Sequence, residues 1–440
     1  MLGSFLYLYI LIVMNIEDIY KKFQECKGVA TDTRKEVEGK FFFCLSGDNF
    51  NGNEFAQLAS EKGAKYIVID NPKYQLSNTI LVENVLATLQ ELATFHRKKM
   101  GTLIFALTGS NGKTTTKELI FSVLNQSFST QKTEGNLNNH IGVPLTLLSL
   151  MPETEIAIVE MGASHPKEIE FLCKIAQPDF GYITNFGKAH LEGFLSLEGV
   201  IEAKSELYQY LIANKKRIFF NQDDENQVNK LREYSDKCSF SLSKNPSADI
   251  QISLEKTSPF LEFKFGETTI SSHLIGKYNA QNIAIAICVG RYFKLSEQTI
   301  KQGIEAYIPS NNRSQIIEKQ SNIKIILDAY NANPSSMKAA IDNFISLDFP
   351  KKILILGDMK ELGLESEREH QFIVDYILQF QREKVFLVGE NFNKTSTEFV
   401  KFLNISAVIK YFSNKEYQDT FFLIKGSRSM QMEKILDFIN

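Results

Sequence analysis

The sequence predicts an α/β protein of three domains, and three observations support this. The chain has 440 residues, more than one ordinary hydrophobic core accommodates. Short apolar segments alternate with segments of helical periodicity, a pattern typical of parallel sheets covered by helices. The basic cluster at residues 97–99, followed by Gly101, indicates a helix end near residue 100, and a further set of alternating strands and helices begins near Ser310. We therefore expect domains at residues 15–99, 100–309 and 310–440.

The composition indicates a soluble protein of a reducing compartment. The 49 basic and 52 acidic residues give a formal net charge of -3, without the basic excess of nucleic-acid-binding proteins. The hydrophobic fraction of 43% is ordinary for a globular protein. The five cysteines are scattered, with no CxxC pair and no histidine nearby, which disfavours a zinc site or a disulfide framework. We therefore expect a cytoplasmic protein without a nucleic-acid partner.

The first residues form an apolar segment of their own. Residues 5–13 are too short to span a bilayer, and they lack the basic region and the cleavage site of a signal peptide. Met14 follows directly and begins an amphipathic segment. We interpret residues 1–14 as a non-native upstream extension from a wrongly assigned start codon, with Met14 as the native first residue and no stable membrane insertion. A membrane anchor is the alternative, and N-terminal peptide mapping of the native protein would distinguish the two.

The N-terminal domain is predicted to be a small α/β unit. Strands are expected at residues 40–45 and 66–69, where short apolar segments occur. A closing helix is indicated by apolar side chains that recur with helical period, at Val85, Leu86, Leu89, Leu92 and Ala93.

The central domain begins with the most informative segment of the chain. An apolar strand leads into a glycine-containing turn and then into a helix that begins with threonines. In such a turn the backbone N–H groups and the positive helix end face a phosphate, Lys113 reaches the terminal phosphates, and Thr114 can ligate Mg²⁺. A nucleotide-dependent enzyme is therefore the leading hypothesis. The residues of this phosphate loop are Thr108, Gly109, Ser110, Asn111, Gly112, Lys113, Thr114 and Thr115.

The phosphate loop departs from the strict Walker pattern, which has glycine where this chain has Leu107. The alternative is an ordinary glycine-containing turn between a strand and a helix. Lysine and threonine directly after Gly112, at the end of so apolar a strand, favour the phosphate loop.

The rest of the central domain continues the alternation. Strands expected at residues 156–159, 180–184 and 217–221 predict a mainly parallel sheet that binds ligands at the carboxyl ends of its strands. Residues 249–273 predict short strands of an antiparallel insertion or edge, and a helix is expected at residues 279–293.

The C-terminal domain is predicted to be a doubly wound, Rossmann-like sheet with residues 323–327 as its first strand. The other strands are expected at residues 352–356, 385–388 and 421–425, and helices such as residues 367–380 lie between them.

Three polar residues of the central domain are candidates for chemistry. Glu160 ends an apolar strand, where a carboxylate is the usual second anchor for nucleotide-bound Mg²⁺, although a helix cap is the alternative. His190 follows another strand, and a lone histidine is more often structural than a ligand. Lys204 on its own is typical of a solvated helix lysine paired with its neighbours.

Two segments of the C-terminal domain end strands. Residues 328–334 follow the expected first strand, where a ligand crevice forms, although a turn with an asparagine cap before a helix at Pro334 is the alternative. Residues 425–428 end the last expected strand and are suited to holding an anion or to forming a basic turn.

Together these segments resemble the Mur ligases, the ATP-dependent amide-forming enzymes of peptidoglycan precursor assembly. The phosphate loop matches that family's variant of the Walker motif, which explains Leu107. The resemblance extends over the chain after Met14, and the order and spacing of its motifs make the joint match strong. The other matching segments are residues 31–34, 138–146, 356–363 and 425–429.

The resemblance implies a fold, an activity and its substrates. It is closest to the family member that adds D-alanyl-D-alanine to UDP-N-acetylmuramoyl-tripeptide through an acyl phosphate. It implies a small N-terminal domain that binds the UDP precursor, a central P-loop-type ATPase sheet and a Rossmann-like C-terminal domain. ATP and two Mg²⁺ ions are the implied cofactors, and a monomer is expected.

The resemblance also implies roles for individual residues. Lys113 would bind the β- and γ-phosphates, and Thr114 with Glu160 would hold one Mg²⁺. His190 would help to hold a second metal ion. Lys204 matches the family's carbamylated lysine, whose CO₂ adduct is a metal-bridging carboxylate.

Other implied roles concern the nucleotide base and the precursor. Asn282 would lie beside the adenine, and the C-terminal domain would contribute Arg313, Asp328, Tyr330 and Asn331. The precursor would contact Asp32, Thr33, Arg34, Asn138 and Asn139. Two segments depart from the family pattern: Asn312 precedes Arg313 where glycine is usual, and Asn51-Gly52-Asn53 replaces Asp-Gly-His.

Three other functions are compatible with parts of this pattern. A sibling ligase would add a single amino acid, but its Asp-Asn-Pro-Arg segment is absent from the sequence. A folylpolyglutamate synthase has a loop that ends differently after Gly-Lys. A regulatory protein that keeps the fold without catalysis would bind ATP without producing ADP.

Overall fold

A computed structural model describes residues 14–380 and 384–439 of the chain. Within these ranges the strands form four sheets, and no helix is long and apolar enough to cross a membrane. The apolar segment that we interpret as part of an upstream extension, residues 1–13, lies outside the described residues.

The N-terminal region contains a parallel sheet. Its elements are α1 (Ile16–Gln24), β1 (Val29–Ala30), β2 (Phe41–Phe43), α2 (Ala56–Glu61), β3 (Tyr66–Ile69), β4 (Thr79–Leu81) and α3 (Val85–Met100). The strands pair in the order β1-β2-β3-β4. Helix α3 ends as the sequence predicts, because Gly101 adopts a φ of 70° and three basic residues occupy the last turn, where the helix dipole favours positive charge.

Helices α1 and α3 pack the N-terminal sheet against the central domain. Tyr20 of α1, Phe41 of β2 and Leu89 of α3 belong to the same buried hydrophobic cluster as Ile104 and Ala157 of the central sheet. The two regions therefore share one core rather than meeting at a separate interface.

The central region contains a parallel sheet that carries the phosphate loop. Its elements are β5 (Leu103–Thr108), α4 (Lys113–Leu124), β6 (Thr130–Lys132), α5 (Gly142–Leu148), β7 (Ile156–Glu160), α6 (Glu168–Ala176), β8 (Phe180–Ile183), α7 (Leu191–Phe194), α8 (Leu197–Ala213), β9 (Arg217–Asn221), α9 (Glu225–Lys230), β10 (Lys237–Ser241), β11 (Ile250–Gln251), β12 (Ser253–Lys256), β13 (Glu262–Phe265), β14 (Thr268–Ser271), α10 (Ala280–Tyr292) and α11 (Glu297–Glu305). The strand order is β11-β10-β9-β8-β5-β7-β6, with parallel pairing throughout.

The prediction of an antiparallel insertion at residues 249–273 is partly wrong. Strands β12, β13 and β14 form an antiparallel sheet, but β11 joins the central sheet in parallel with β10. Asp249 anchors this edge, because its Oδ2 accepts hydrogen bonds from the backbone N–H and the hydroxyl of Ser239, both at 2.7 Å.

The C-terminal region contains a mixed sheet. Its elements are β15 (Gln315–Lys319), β16 (Ile323–Asp328), α12 (Pro334–Ser346), β17 (Lys351–Gly357), α13 (Ser366–Leu378), β18 (Lys384–Val388), α14 (Glu390–Lys394), β19 (Val400–Phe402), α15 (Ile405–Phe412) and β20 (Thr420–Lys425). The strand order is β15-β16-β20-β17-β18-β19. The prediction that residues 323–327 form the first strand is wrong, because β15 precedes them as an antiparallel edge strand with half-buried residues that give no clear apolar signal.

We predict that Arg97 of α3 stabilises the junction between the first two regions. Its guanidinium donates to the carbonyl oxygens of Ala176 and Gln177 and lies 2.7 Å from the Asp179 carboxylate, with both charged side chains largely buried. Arg97→Met should lower the free energy of unfolding by about 2–4 kcal/mol, because it leaves buried acceptors without donors. Thermal and denaturant unfolding would measure this.

The matched control for this substitution is Lys98→Met, at the neighbouring exposed position. It should change the unfolding free energy by less than about 0.5 kcal/mol. Equal effects of the two substitutions would contradict the role of Arg97.

Candidate active site

A cleft of about 1640 Å³ is lined by residues of the central and C-terminal regions. It lies where three neighbouring strands of the central sheet end, since the phosphate loop follows β5, Glu160 ends β7 and Thr184 follows β8. The residues predicted from the sequence that line it are Ser110, Asn111, Gly112, Lys113, Thr114, Thr115, Asn138, Asn139, Glu160, His190, Asn282, Arg313, Asp328, Tyr330 and Asn331.

The phosphate loop has the backbone shape that its glycines permit. Gly109 adopts a φ of 139° and Gly112 a φ of 79°, and α4 begins at Lys113. The Lys113 ammonium folds back over the loop and donates to the carbonyl oxygens of Gly109 at 2.7 Å and Ser110 at 3.4 Å. Burial lowers the pKa of Lys113, an effect that the Glu160 carboxylate opposes. The Lys113 ammonium and the positive end of α4 therefore lie together in the loop, an arrangement that favours an anion.

A second loop, residues 184–190 after β8, holds the phosphate loop in place; we name it the clasp loop. The Thr184 hydroxyl donates to the carbonyl oxygen of Asn111 at 2.6 Å. The Ser110 hydroxyl donates to the carbonyl oxygen of Gly187 at 2.8 Å and accepts from its N–H at 3.0 Å. The two loops therefore behave as one hydrogen-bonded unit.

Glu160 is a buried carboxylate at the floor of the cleft. Its Oε2 accepts from the Thr114 hydroxyl at 2.9 Å, and its Oε1 accepts from the Asn138 side-chain amide at 2.8 Å. Lys117, which is 1% exposed, lies 3.9 Å from Oε2 and donates to the carbonyl oxygen of Thr133. The sequence analysis missed Lys117, because nothing in its spacing separates a buried lysine of α4 from a solvated one.

His190 meets a carboxylate from the C-terminal region. Its Nδ1 lies 2.6 Å from Oε2 of Glu361, and this contact lowers the pKa of Glu361. The sequence analysis included Glu361 in a matching segment but gave it no role, because the contact joins residues far apart in the chain.

Lys204 is a buried residue, so its interpretation as a solvated helix lysine is wrong. It is 1% exposed, its ammonium donates to the carbonyl oxygen of Ala163 at 2.9 Å, and it lies 4.9 Å from the ring centre of Phe194. Burial places the pKa of Lys204 well below its usual value, and the positive charge of Lys113 lowers it further. Ala163 lines the cleft, so the amine lies just behind its wall.

The far end of the cleft combines residues of both regions. The Asn282 amide accepts from the Thr116 hydroxyl at 3.0 Å and lies against Gly112 of the phosphate loop. The guanidinium of Arg313 stacks 3.6 Å from the ring centre of Tyr330. This cation and this aromatic face form a flat surface at the mouth of the cleft.

The end of strand β16 carries an ion pair. The Lys425 ammonium, 1% exposed, donates to Asp328 at 2.5 Å and to the carbonyl oxygen of Asn331 at 3.2 Å. In the described structure Lys425 is therefore paired with Asp328 rather than available to bind an anion. Asn333 caps α12 through a capping box, as the turn interpretation of this segment predicts.

The predicted precursor residues lie in two places. Asn138 and Asn139 line the cleft, where Asn138 binds Glu160 and Asn139 accepts from the backbone at the start of α5. Residues 32–34 lie outside the cleft lining, after β1 in the N-terminal sheet. There the Arg34 guanidinium pairs with Asp32 at 2.8 Å and lowers the pKa of Asp32 to about 2.

The replacement of an imidazole by Asn53 has a structural explanation. Asn53 is buried, and its amide donates to the Asp70 carboxylate at 2.8 Å and accepts from the Asp70 N–H at 3.0 Å. The side chain therefore joins two loops of the N-terminal region.

The predicted metal residues fit hard cations in part. Within residues 14–380 and 384–439, no group of three or more His, Cys, Asp and Glu side chains is placed to hold a metal ion. Thr114 and Glu160 offer adjacent hydroxyl and carboxylate oxygens, the ligand types that Mg²⁺ prefers. A carbamate on Lys204, as the family resemblance implies, would add a further anionic group.

Comparison with known proteins agrees with this architecture. Residues 107–290 match the family described as Mur ligase middle domain, and residues 312–427 match the Mur ligase, glutamate ligase domain. A relative from Bacillus subtilis named UDP-N-acetylmuramoyl-tripeptide–D-alanyl-D-alanine ligase is 35% identical, and the match covers 93% of this chain and 92% of that one. The chain belongs to the Mur ligase family.

Other relatives of this Mur ligase extend the similarity. The ligase of the same name from Escherichia coli is 32% identical, with 93% of this chain and 92% of that one covered. The crystal structure of MurF from Acinetobacter baumannii superposes with a TM-score of 0.84 and 27% identity, covering 96% and 98% of the two chains. The structure of MurF from Thermotoga maritima in complex with ADP has a TM-score of 0.81 and 27% identity, covering 93% and 96%. The α/β fold with a central parallel sheet is thus confirmed.

We predict that Gly109→Ala abolishes nucleotide binding by this Mur ligase. A Cβ at this position would lie 2.0 Å from the Thr184 hydroxyl, so the phosphate loop and the clasp loop would be forced apart. Isothermal titration with ATP should show at least about a hundredfold weaker binding, since the displaced N–H groups no longer face the phosphates.

The matched control is Gly101→Ala. Gly101 also has a positive φ, but a Cβ there would meet nothing within 4 Å. It should cost about 1–2 kcal/mol of stability and leave ATP affinity unchanged. Retained ATP affinity in Gly109→Ala would contradict the role of the close approach.

Proposed function

We propose that this Mur ligase is an ATP-dependent amide ligase that joins D-alanyl-D-alanine to UDP-N-acetylmuramoyl-tripeptide in peptidoglycan precursor synthesis. The observation that carries the proposal is the cleft in which the phosphate loop, Glu160 and His190 face the C-terminal region. Relatives of the same length that bear this activity in their names support the choice of substrates. The protein acts as a cytoplasmic monomer.

The reaction has two steps because a carboxylate is a poor acylating agent. A carboxylate oxygen of the tripeptide attacks the γ-phosphorus of ATP, the bond to the β,γ-bridging oxygen breaks, and ADP leaves. The free amine of the dipeptide then attacks the carbonyl carbon of the acyl phosphate. The tetrahedral intermediate expels inorganic phosphate, and the amine loses its proton as the amide forms.

The phosphate loop supplies most of the groups that stabilise negative charge on the triphosphate. Its N–H groups and the start of α4 face the triphosphate, and Lys113 neutralises the γ-phosphoryl group as charge develops on it. The hydrogen bonds of Lys113 to two loop carbonyls keep the ammonium inside the loop. Transfer of the phosphoryl group therefore depends mainly on how the loop positions the triphosphate and Lys113.

Thr114 and Glu160 would hold one Mg²⁺, and His190 with a carbamylated Lys204 would hold a second. Bound Mg²⁺ supplies neutralisation of the phosphate oxygens during transfer. The contact between the Thr114 hydroxyl and the Glu160 carboxylate supports the first assignment.

The environment of Lys204 supports carbamylation. A carbamate forms when a neutral amine attacks CO₂, a C–N bond forms and the amine loses one proton. Burial lowers the pKa of Lys204, which favours that neutral amine. The modification would place a negative charge where the positive charge of Lys113 acts.

The remaining residues bind the two ends of the substrates. Asn282, with Arg313, Asp328, Tyr330 and Asn331, holds the adenosine part of ATP at the mouth of the cleft. Asp32, Thr33 and Arg34 bind the uridine diphosphate end of the precursor, while Asn138 and Asn139 lie beside its peptide. Because the nucleotide contacts come from two regions, the C-terminal domain closes on ATP.

We predict that D-alanyl-D-alanine stimulates ADP release from ATP in the presence of Mg²⁺ and UDP-N-acetylmuramoyl-tripeptide. Single amino acids should give no stimulation. Lys113→Ala should lower the stimulated rate by at least about a thousandfold because the transition-state charge loses its cation. Lys98→Ala, an exposed lysine on α3, is the control.

Each alternative function has its own outcome in this assay. Stimulation by an amino acid with a shorter precursor would identify a sibling ligase, and stimulation by glutamate with a folate would identify a folylpolyglutamate synthase. ATP binding without turnover under any pairing would identify a regulatory protein.

We predict that Lys204 carries a carbamate. Protein equilibrated with ¹³C-labelled bicarbonate should show a carbamate carbonyl resonance that Lys204→Arg lacks, and removal of CO₂ should lower the rate of ADP release. Lys174→Arg, on the exposed face of α6, should keep the resonance. An unchanged spectrum in Lys204→Arg would contradict the modification at this residue.

A further inference from the structure

We propose that Glu361 is the positioning residue for His190: a carboxylate of the C-terminal region fixes an imidazole of the central region in the orientation that metal binding requires. The inference rests on the proposed role of His190 as a metal ligand. It assigns a function to a residue for which sequence motifs gave none.

The geometry of the contact is specific to one ring nitrogen. Nδ1 of His190, rather than Nε2, lies 2.6 Å from Oε2 of Glu361. The His190 side chain is 21% exposed and that of Glu361 is 55% exposed, so the pair lies at the edge of the cleft. Nδ1 is thus the ring nitrogen that faces the carboxylate, although it is buried and the contact lacks the angle of a hydrogen bond.

Backbone contacts hold the two segments together. The N–H of Glu192 donates to the carbonyl oxygen of Glu361 at 3.3 Å, and Gly363 packs closely against the backbone of Glu192. His190 and Glu361 also both have a left-handed backbone, with φ of 52° and 63°. Such φ values are uncommon for residues with side chains, and they persist where the surrounding structure determines them.

A carboxylate beside a histidine is a common arrangement in metal sites. A histidine that ligates a metal usually donates its second ring N–H to a carboxylate, a carbonyl or water, which fixes the tautomer and the orientation of the ring. A ring rotation that directs a proton on Nδ1 to Glu361 would leave the lone pair of Nε2 available to the metal. Glu361 would therefore act on the metal through His190, without contacting the metal itself.

The position of the pair also links metal binding to the C-terminal region. His190 ends the clasp loop, which is hydrogen-bonded to the phosphate loop through Ser110 and Gly187. A neighbouring tie, Lys188 to Glu369 at 2.8 Å, joins the same loop to α13 without touching His190. Because the Lys188–Glu369 pair does not involve His190, breaking it tests the attachment of the C-terminal region without changing the orientation of the imidazole.

The test measures Mn²⁺ binding to the full chain in the presence of ADP, by electron paramagnetic resonance. The Mn²⁺ binding that is lost in His190→Ala identifies the metal site to which the imidazole contributes. For that site, Glu361→Gln should raise the Kd for Mn²⁺ about tenfold or more, and Glu361→Ala should raise it further, because a partner carboxylate of this kind is worth tenfold to a hundredfold in affinity. Glu361 is half exposed, so both variants should fold, and thermal unfolding verifies this.

Two controls complete the design. Glu367→Gln removes an exposed carboxylate of α13 and should change the Kd by less than about twofold. Lys188→Met breaks the ion pair with Glu369, one of several contacts between the regions, and should likewise leave Mn²⁺ affinity nearly unchanged. If Lys188→Met weakens Mn²⁺ as much as Glu361→Ala does, Glu361 acts by domain attachment and the inference is overturned.

The remaining outcomes separate this inference from the proposed function. Weakened Mn²⁺ binding in His190→Ala with unchanged binding in Glu361→Ala overturns the positioning role alone. Unchanged binding in His190→Ala overturns the metal role of His190 and this inference with it. The expected Mn²⁺ results without dipeptide-stimulated ADP release would overturn the proposed substrates and leave the positioning role in place.

Discussion

The hydrogen bonds between the phosphate loop and the clasp loop are the constraint on which the rest of the site depends. They require a glycine at position 109, because the Thr184 hydroxyl occupies the space of a Cβ. They also fix where the clasp loop leaves the central sheet, and therefore where Lys188 and His190 meet the C-terminal region. The phosphate loop also contacts the C-terminal region directly, because the Asn333 side-chain amide donates to the side-chain oxygen of Asn111 at 2.7 Å.

A second constraint is the burial of charge around the cleft. Lys117 and Lys204 are each 1% exposed, and Glu160 is 2% exposed. Burying an ionised group costs several kcal/mol unless partners compensate it, so these residues are not there for stability. Lys117 is compensated by Glu118 and Glu160, whereas Lys204 has a carbonyl and an aromatic ring as its nearest partners. Burial lowers the pKa of Lys204 well below its usual value.

The sequence predicted the elements that repeat a strong periodic or apolar signal. Strand β3, helix α3 with its end at Gly101, and the strands that carry the phosphate loop and Glu160 were all predictable, since each has an apolar core or a recognisable cap. Edge strands were not: β15 has half-buried, mixed residues, and β11 is a two-residue strand whose partner is set by Asp249.

The candidate site was predictable as a set of strand ends but not as a set of contacts. The phosphate loop residues, Glu160 and His190 follow adjacent strands, so their meeting follows from the sheet order. The burial of Lys204 and the partners Lys117, Glu361 and Lys425 depend on packing between segments far apart in the chain. No local pattern encodes such contacts, because a lysine or glutamate on a helix or turn has the same local sequence whether or not it is buried.

The shared hydrophobic cluster of the first two regions shows that domains expected from the sequence need not have separate cores. The apolar side chains of α1, α3 and the N-terminal sheet close the same core as those of the central sheet, whereas the C-terminal cluster, among the described residues, includes Leu191 and Ile275 from the central region. The three units expected from the sequence are therefore not fully separated by their hydrophobic cores. The strands of the N-terminal sheet and β5, which leads into the phosphate loop, therefore pack through the same buried side chains. The C-terminal region lines the other side of the cleft and joins the central region through the buried side chains of Leu191 and Ile275.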